Sequence, residues 1–361
     1  YKLRSEYGGA ASPEVLKEVE SRIDAVTQVR SMPWIEAQQQ GLAEVFDPAP
    51  AYIRHISTLV DMERLRQAGM HVAMDPMWGV GVGWFARLIG GGKTRLTAIH
   101  DGQNPNFPDM GRPEPIPPNL NALERTVRET GASVGIANDG DADRLGVVDE
   151  QGRFINQLQV YALLALYLLE VRGWRGPLVK TVTTTMMARK LGELYDVPVY
   201  ETGVGFKYVA PKMLETNAIL GGEESGGFAF RGHLPERDGI LAGLFFLDLM
   251  VQKRMSPSQL LQYLFSRVGP HYYDRIDTHL RPEEKPAVME RVRNAHPSEV
   301  AGLPVSEIDT SDGFRYVLDN QGWLLIRFSG TEPVLRVYTE TTDKDRVQAI
   351  LNAGLAIAGV K

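Results

Sequence analysis

An α/β protein with two tandem α/β/α domains of mixed, mostly parallel sheets, followed by a smaller C-terminal α+β domain with an antiparallel sheet, is the fold class that the chain predicts. Three observations carry it. From Asp47 helical and strand-like segments alternate strictly, the alternation restarts after Gly152, and beyond about Pro270 it yields to period-two strands interleaved with amphipathic helices. Repeated α/β alternation implies right-handed crossovers and a mostly parallel sheet, whereas period-two strands imply sheets with one covered face.

The elements follow in order. Lys2 to Tyr7 reads as a short extended piece, Gly8-Gly9 as a turn, and Ser12-Pro13-Glu14 opens a helix running to about Val29. Serine at N-cap, proline at N1 and a first-turn glutamate match helix-start preferences. This unit is too small to bury a core of its own. Next come a helical stretch Ala49–Gln67, a strand Met70–Met74, a short helix Trp84–Ile89 and a strand Arg95–His100. A Pro-rich loop leads to a helix Leu120–Thr130, a strand Ser133–Ala137, a polar loop and a strand Leu145–Val148. The second unit reads helix Gln157–Arg172, strand Leu178–Thr181, helix Met186–Tyr195, strand Val197–Tyr200, helix Phe206–Glu215 and strand Ala218–Gly221. Two units of one rhythm suggest a structural duplication. In the last unit Tyr272–His279, Tyr316–Asp319, Trp323–Phe328 and Leu335–Glu340 alternate like strands, with helices Glu283–Ala295 and Lys344–Ala358 between and after them.

Composition removes several classes. The 361 residues carry 39 Lys and Arg against 45 Asp and Glu, a formal net charge of −6, which argues against nucleic acid as the main partner. Hydrophobic residues make up 43%, enough to exclude a disordered chain. The longest apolar runs, Val160–Leu169 and Gly239–Leu247, end at Glu170 and Asp248, far short of the roughly 20 residues a membrane span needs. The absence of cysteine removes thiol catalysis, cysteine-ligated zinc and disulfides. A cytoplasmic location is the expectation.

Chemistry concentrates in three loops. Asn138-Asp139-Gly140-Asp141-Ala142-Asp143-Arg144 crowds three carboxylates at i, i+2 and i+4 between two apolar strands. A hard divalent cation resolves that repulsion, since Mg²⁺ and Ca²⁺ both take oxygen ligands, and the bland alternative is a solvated acidic turn. An EF-hand is a sharper rival, with Glu150 at the twelfth position, but Arg144 stands where that loop needs glycine and the flanks are strands. Arg144 reads as a phosphate clamp beside Mg²⁺. Gly221-Gly222-Glu223-Glu224-Ser225-Gly226-Gly227 lets backbone approach a ligand, with Glu223 and Ser225 able to hydrogen-bond neighbouring sugar hydroxyls; a surface turn is the other reading. Arg327-Phe328-Ser329-Gly330-Thr331-Glu332-Pro333, continued by Arg336, reads as a phosphate cradle or as an ordinary hairpin connection.

Other features weigh less. Gly81-Val82-Gly83-Trp84-Phe85-Ala86 imitates a dinucleotide fingerprint, yet Asp75 to Val80 separate it from its strand, whereas the true turn is immediate. Gly92-Lys93-Thr94 imitates the end of a P-loop, with Arg87 in place of its first glycine. No histidine has metal-ligand spacing with another, and only His233 lies in a polar loop near a candidate site. Lys180, at a strand end, and Lys207, in Gly203-Val204-Gly205-Phe206-Lys207, are site candidates that can equally be solvated lysines.

Together the loops imply a phosphorylated polyol held in a cleft between domains. The strings NDGDADRLGVVDEQG, GGEESGG and RFSGTEPVLRVYTE, in this order, resemble the α-D-phosphohexomutase superfamily of phosphoglucomutases and phosphomannomutases over essentially the whole chain. The resemblance implies a four-domain enzyme interconverting hexose 1-phosphate and hexose 6-phosphate through an enzyme phosphoserine and a bisphosphorylated sugar. It implies Asp139, Asp141 and Asp143 as Mg²⁺ ligands and Arg144 and Lys180 as catalytic groups. Lys207, Glu223, Ser225, Arg327, Ser329, Gly330, Thr331 and Arg336 would bind substrate.

The partners implied are hexose phosphate and hexose bisphosphate, without nucleic acid or membrane, and the chain a monomer or homodimer. Domain boundaries fall at 1–45, the remnant of a first domain, then 46–150, 151–268 and 269–361. Many mannose- and glucosamine-type members carry histidine where Gly227 stands, which favours glucose, with mannose possible. The family's phosphoserine loop, Thr-Ala-Ser-His-Asn-Pro-like, has no counterpart in these residues. The expectation is that roughly 100 residues carrying it are missing before Tyr1 and that the chain alone is inactive. Phosphoglucosamine mutase, or a silent sugar-phosphate-binding protein, is the alternative.

Overall fold

A computed structural model describes residues 3–319, 322–329 and 333–360. Three sheets organise it. The first contains β1 (His71–Asp75), β2 (Arg95–Ala98), β3 (Val134–Asn138), β4 (Leu145–Val148) and β5 (Phe154–Ile155) in the order β2-β1-β3-β4-β5. β1 pairs in parallel with β2 and β3, and β4 turns back antiparallel to β3. The second contains β6 (Leu178–Thr181), β7 (Val199–Thr202), β8 (Leu220–Gly222) and β9 (Phe228–Phe230) in the order β7-β6-β8-β9. Here too the first three strands are parallel and the last is antiparallel. The duplication suggested by rhythm is thus a duplication of topology.

The third sheet is antiparallel, built from β10 (Tyr272–His279), β11 (Glu299–Val300), β12 (Leu303–Asp309), β13 (Phe314–Leu318), β14 (Trp323–Phe328) and β15 (Val334–Thr341). Its order is β10-β15-β14-β13-β12-β11, and helices Lys285–Arg293 and Val347–Ala358 cover one face around Leu324, Ile326 and Val337. Trp323, Leu325 and Tyr338 point the other way and bury against Val182, Met186 and Val204 of the second α/β unit. That contact joins the two units along a polar cleft.

Several elements depart from expectation for local reasons. The helix opened by Ser12 ends at Ser21, followed by a short 3₁₀ turn. None of its residues is buried, and β-branched Val26, Thr27 and Val29 have no packing to offset their poor helix preference. The stretch Ala49–Gln67 splits into Ala49–Ile56 and Met62–Gln67. Ser57 and Thr58 turn their hydroxyls back on the carbonyls of Ile53 and His55, and the Asp61 side chain caps the second helix. Strand Val197–Tyr200 forms two residues later, at Val199–Thr202.

Two helices escaped the sequence reading, Gly239–Lys253 and Pro257–Val268. The first is apolar on every side because it is buried on every side: it packs against β3, β4 and β9 and joins the cores of both α/β units. Among the described residues no helix is long and apolar enough to cross a membrane. Residues 3–48 lie mostly at the surface, with Val45 and Phe46 more than 70% exposed.

Candidate active site

The acidic loop is the hairpin connection from β3 to β4. Asp139 closes it from inside, its Oδ1 accepting the backbone N–H of Asp143 (2.9 Å) and Arg144 (3.0 Å), while Asn138 Nδ2 donates to the Arg144 carbonyl (2.8 Å). Carboxylate oxygens of Asp139, Asp141 and Asp143 converge within 4.8 Å of one another. Burial, then the charges of Asp143 and Asp141, push the Asp139 carboxyl up to about 7. Three converging carboxylates, one of them pushed toward its neutral form by burial and the other two charges, fit a hard cation with oxygen ligands. The loop is also buttressed from behind: Val80 N–H donates to the Gly140 carbonyl (3.0 Å), and a Cβ on Gly79 would stand 2.4 Å from that oxygen. The segment between β1 and the glycines that imitate a dinucleotide fingerprint therefore packs on the acidic loop.

The glycine-rich loop is the corresponding connection, from β8 to β9. Glu223 N–H donates to the Gly227 carbonyl (3.0 Å), and Gly226 sits at φ +91°, a conformation that favours glycine. Glu223 is buried, which raises its carboxyl above the ordinary range, against the pull of the Arg237 and Arg144 guanidinium groups. Glu224 turns toward the C-terminal unit and accepts from Tyr273 Oη (2.5 Å) and Arg275 Nη1 (2.9 Å).

The two loops are physically one assembly. Leu145 N–H donates to the Gly226 carbonyl (2.9 Å), and Arg144 and Gly227 form an isolated antiparallel bridge. Arg237, just before helix Gly239–Lys253, spans both loops, 2.7 Å from Asp143 and 3.6 Å from Glu223. It reaches them by crossing Gly227, where a Cβ would stand 2.2 Å from Arg237 Cδ. Arg144 contacts Glu114 (3.2 Å) and lies 3.5 Å from Asp139. Arg144, Glu223, Ser225, Arg237, Arg275 and Arg336 line a cleft of about 820 Å³.

Other candidates lie elsewhere. Lys207 and Arg327 share a side groove of about 600 Å³, and Val204 borders both spaces. Ser329, two residues after Arg327, is buried, with its N–H on the Val334 carbonyl; Gly330 and Thr331 lie outside the described residues. Lys180 does not line the cleft. It is fully buried, its ammonium 2.5 Å from Glu201 and donating to the carbonyls of Thr181 and Thr184. Burial lowers its pKa against the pull of Glu201, whose own carboxyl is held down to about 2 despite burial by Lys180 and Arg315. A strand-end lysine is thereby turned into a tie between the second α/β unit and Arg315 on β13. His233 is likewise local, bonded to Asp238 (3.0 Å) and stacked on His55.

Arg237, Glu114 and Arg275 are cleft residues that the sequence did not single out. Each is placed by a partner distant in the chain, so no local motif marks it.

Two α/β units presenting matched hairpins, one acidic and one glycine-rich, to a cleft closed by arginines of a third unit are the architecture of a multidomain enzyme of sugar-phosphate chemistry. Family models described as phosphoglucomutase/phosphomannomutase match at residues 50–152 (alpha/beta/alpha domain II), 156–268 (alpha/beta/alpha domain III) and 280–354 (C-terminal domain). A Thermococcus kodakarensis protein named phosphoglucomutase/phosphomannomutase is 31% identical over 328 residues, 90% of this chain and 68% of the relative. A Methanothermobacter thermautotrophicus protein named a probable phosphoglucosamine mutase is 32% identical, with 97% of this chain and 73% of the relative covered. A solved Thermus thermophilus structure with a provisional phosphomannomutase name superposes with a TM-score of 0.82 at 30% identity, covering 98% of this chain and 73% of that one. The chain belongs to the phosphoglucomutase/phosphomannomutase family of the α-D-phosphohexomutase superfamily.

Proposed function

We propose that the chain carries the metal, sugar and phosphate sites of a Mg²⁺-dependent hexose phosphate mutase that prefers glucose, with mannose accepted. The observation that supports this most is the union of the acidic and glycine-rich hairpins, through the Leu145–Gly226 bond and Arg237, on one cleft lined by Arg144 and Arg336. Asp139, Asp141 and Asp143 would hold Mg²⁺, which when bound supplies charge neutralisation beside the transferring phosphoryl. Arg144, beside the same aspartates and in contact with Glu114, would neutralise that phosphoryl as well. Glu223 and Ser225 hydrogen-bond the sugar hydroxyls. Arg327, Ser329, Gly330 and Thr331 grip the phosphate that does not react, with Lys207, in the same groove as Arg327, and Arg336, on the central cleft, as further substrate contacts.

In this reading the serine O–P bond of an enzyme phosphoserine breaks as an O–P bond forms to a sugar hydroxyl, whose proton ends on the serine oxygen; the other sugar O–P bond then breaks as its phosphoryl returns to the serine, and that sugar oxygen takes the proton back. The 361 residues contain no serine in a His-Asn-Pro context, so the phosphoserine lies outside them and this chain alone binds without turnover. Lys180 acts at a distance, through Glu201 and Arg315. Glucose preference rests on Gly227, which leaves its space to Arg237.

Calorimetry on the 361-residue chain tests the reading. With Mg²⁺ present, glucose 6-phosphate is expected to bind without turnover and to lose affinity in Glu223→Gln. Absence of binding overturns the site reading, turnover at mutase rates overturns the phosphoserine part, and tighter binding of glucosamine 6-phosphate, the substrate class named for the Methanothermobacter relative, overturns the glucose preference.

A further inference from the structure

We propose that Asp312 is a positioning residue for the phosphate grip: through Arg327 it sets the orientation of the guanidinium that meets the non-reacting phosphate. The proposal rests on the reading of Arg327 as a phosphate-binding residue. Asp312 stands two residues before β13, and the pairing of Phe314 with Ile326 places it across from the end of β14, where Arg327 sits. Its Oδ1 accepts from Arg327 Nε at 2.9 Å and its Oδ2 from the backbone N–H of Val204 at 2.6 Å. One carboxylate therefore fixes a C-terminal-unit arginine and a loop of the second α/β unit together. The bond engages Nε, leaving the four terminal guanidinium donors for other partners.

The setting is built rather than incidental. Gly313 sits at φ +102°, and a Cβ there would lie 3.0 Å from the Ile326 carbonyl and 3.2 Å from Arg327 Cβ, so the turn is pressed onto the strand carrying Arg327. Asp312, Arg327, Lys207 and Val204 line one groove, and Val204 is also a wall of the central cleft. A carboxylate beside an anion seat weakens its attraction for phosphate. Its place there is explained by orientation: an unrestrained arginine loses rotamer freedom on binding, and a guanidinium held at Nε has already lost it.

The test is calorimetric titration of glucose 6-phosphate into the 361-residue chain with Mg²⁺, in wild type, Asp312→Ala, Arg327→Ala and the double variant. Asp312→Ala is expected to weaken binding about tenfold, the worth of one charge-assisted hydrogen bond. It should leave Mg²⁺ affinity unchanged and have no further effect when Arg327 is already alanine, a coupling that a merely structural role would not produce. Asp312→Asn, which can satisfy only one of the two donors, is expected to fall between and decides the matter if the alanine variant does not fold. Unchanged affinity in both Asp312 variants, or additive losses in the double variant, overturns the proposal while leaving the phosphate reading intact. Wild-type affinity in Arg327→Ala overturns both.

Discussion

The acidic and glycine-rich loops occupy the same place in the same topology. Strands β2-β1-β3-β4 and β7-β6-β8-β9 have matching order and sense, and in each the functional loop is the hairpin from the third strand to the antiparallel fourth. What differs is how each loop treats charge. The β3–β4 loop gathers three carboxylates within 4.8 Å, flanked by Arg144 and Arg237. The β8–β9 loop buries a single carboxylate, Glu223, opposite Arg237, and sends Glu224 away to Arg275 and Tyr273. One scaffold position thus yields a loop of crowded carboxylates and a loop with one buried carboxylate, which the proposed function reads as a cation seat and a sugar-hydroxyl acceptor. The difference is set by residue choice within a loop of six or five residues, 139–144 against 223–227, and not by the fold.

Separating the two loops by mutation gives the largest expected effect. Asp141→Ala with Asp143→Ala is expected to weaken Mg²⁺ binding by about 100-fold or more, since even groups that only support metal ligands are worth roughly 10–100-fold. Glu223→Ala should leave Mg²⁺ affinity within about twofold and weaken glucose 6-phosphate by about 10- to 100-fold, the worth of a buried hydrogen bond to a charged acceptor. Calorimetry with each ligand on each variant checks both. Equal loss of Mg²⁺ affinity in the two variants would show that the hairpins form a single metal site.

How far this division was legible follows from where partners lie in the chain. The three aspartates are two residues apart, so their crowding is a local property visible in the sequence. The mostly parallel sheets of the two α/β units were equally legible, because alternation of helix and strand constrains topology strongly. Arg237 was not, since its reach to Asp143 depends on the absence of a side chain at Gly227, a contact between distant segments. Lys180 shows the opposite failure. Its position at the end of a parallel strand suggested a ligand site, but Glu201 on the neighbouring strand and the Thr181–Thr185 turn enclose it. Helix Gly239–Lys253 had no periodicity to read because both sheets cover it.

Cutting the link between the hairpins gives an intermediate effect. Gly226→Ala places a Cβ 2.8 Å from the Leu145 carbonyl at a φ of +91°, where an L side chain is strained. A loss of about 1–3 kcal/mol is expected, read as a lower thermal midpoint. The bond from Leu145 to the Gly226 carbonyl ties this strain to the acidic loop, so Mg²⁺ should bind the variant more weakly and stabilise it less than it stabilises wild type. A variant that is destabilised equally with and without Mg²⁺ would show that the hairpins touch without being coupled.

The smallest effect, and the sharpest on charge, is the pH dependence of stability. Burial and two neighbouring carboxylates raise Asp139 from 3.8 to about 7, so the folded state holds this proton more tightly than the unfolded chain. Its stabilising contribution is complete below about pH 4, declines as pH rises toward 7 and is absent above. Glu201, depressed to about 2 with burial opposed by Lys180 and Arg315, works in the opposite direction, but its window closes near pH 4.5. His100, raised mainly by its hydrogen bond to Asp75, loses its contribution above its ordinary value, in the same direction as Asp139 but independently of metal. Glu223, raised by burial, adds to this loss, whereas His71, lowered by burial and Arg95, opposes it, so between about pH 5 and 8 the metal-free chain should lose a few degrees of thermal midpoint, chiefly through Asp139. Saturating Mg²⁺ should raise the midpoint more at about pH 8, where the carboxylate is ionised, than at about pH 5, where the cation must displace a proton. Asp139→Asn should remove that difference, while Glu223→Gln should keep it, because only the acidic loop exchanges a proton for a cation. Equal stabilisation by Mg²⁺ at both pH values would show that the three carboxylates are already ionised before the cation arrives, and would erase the electrostatic contrast between the two hairpins.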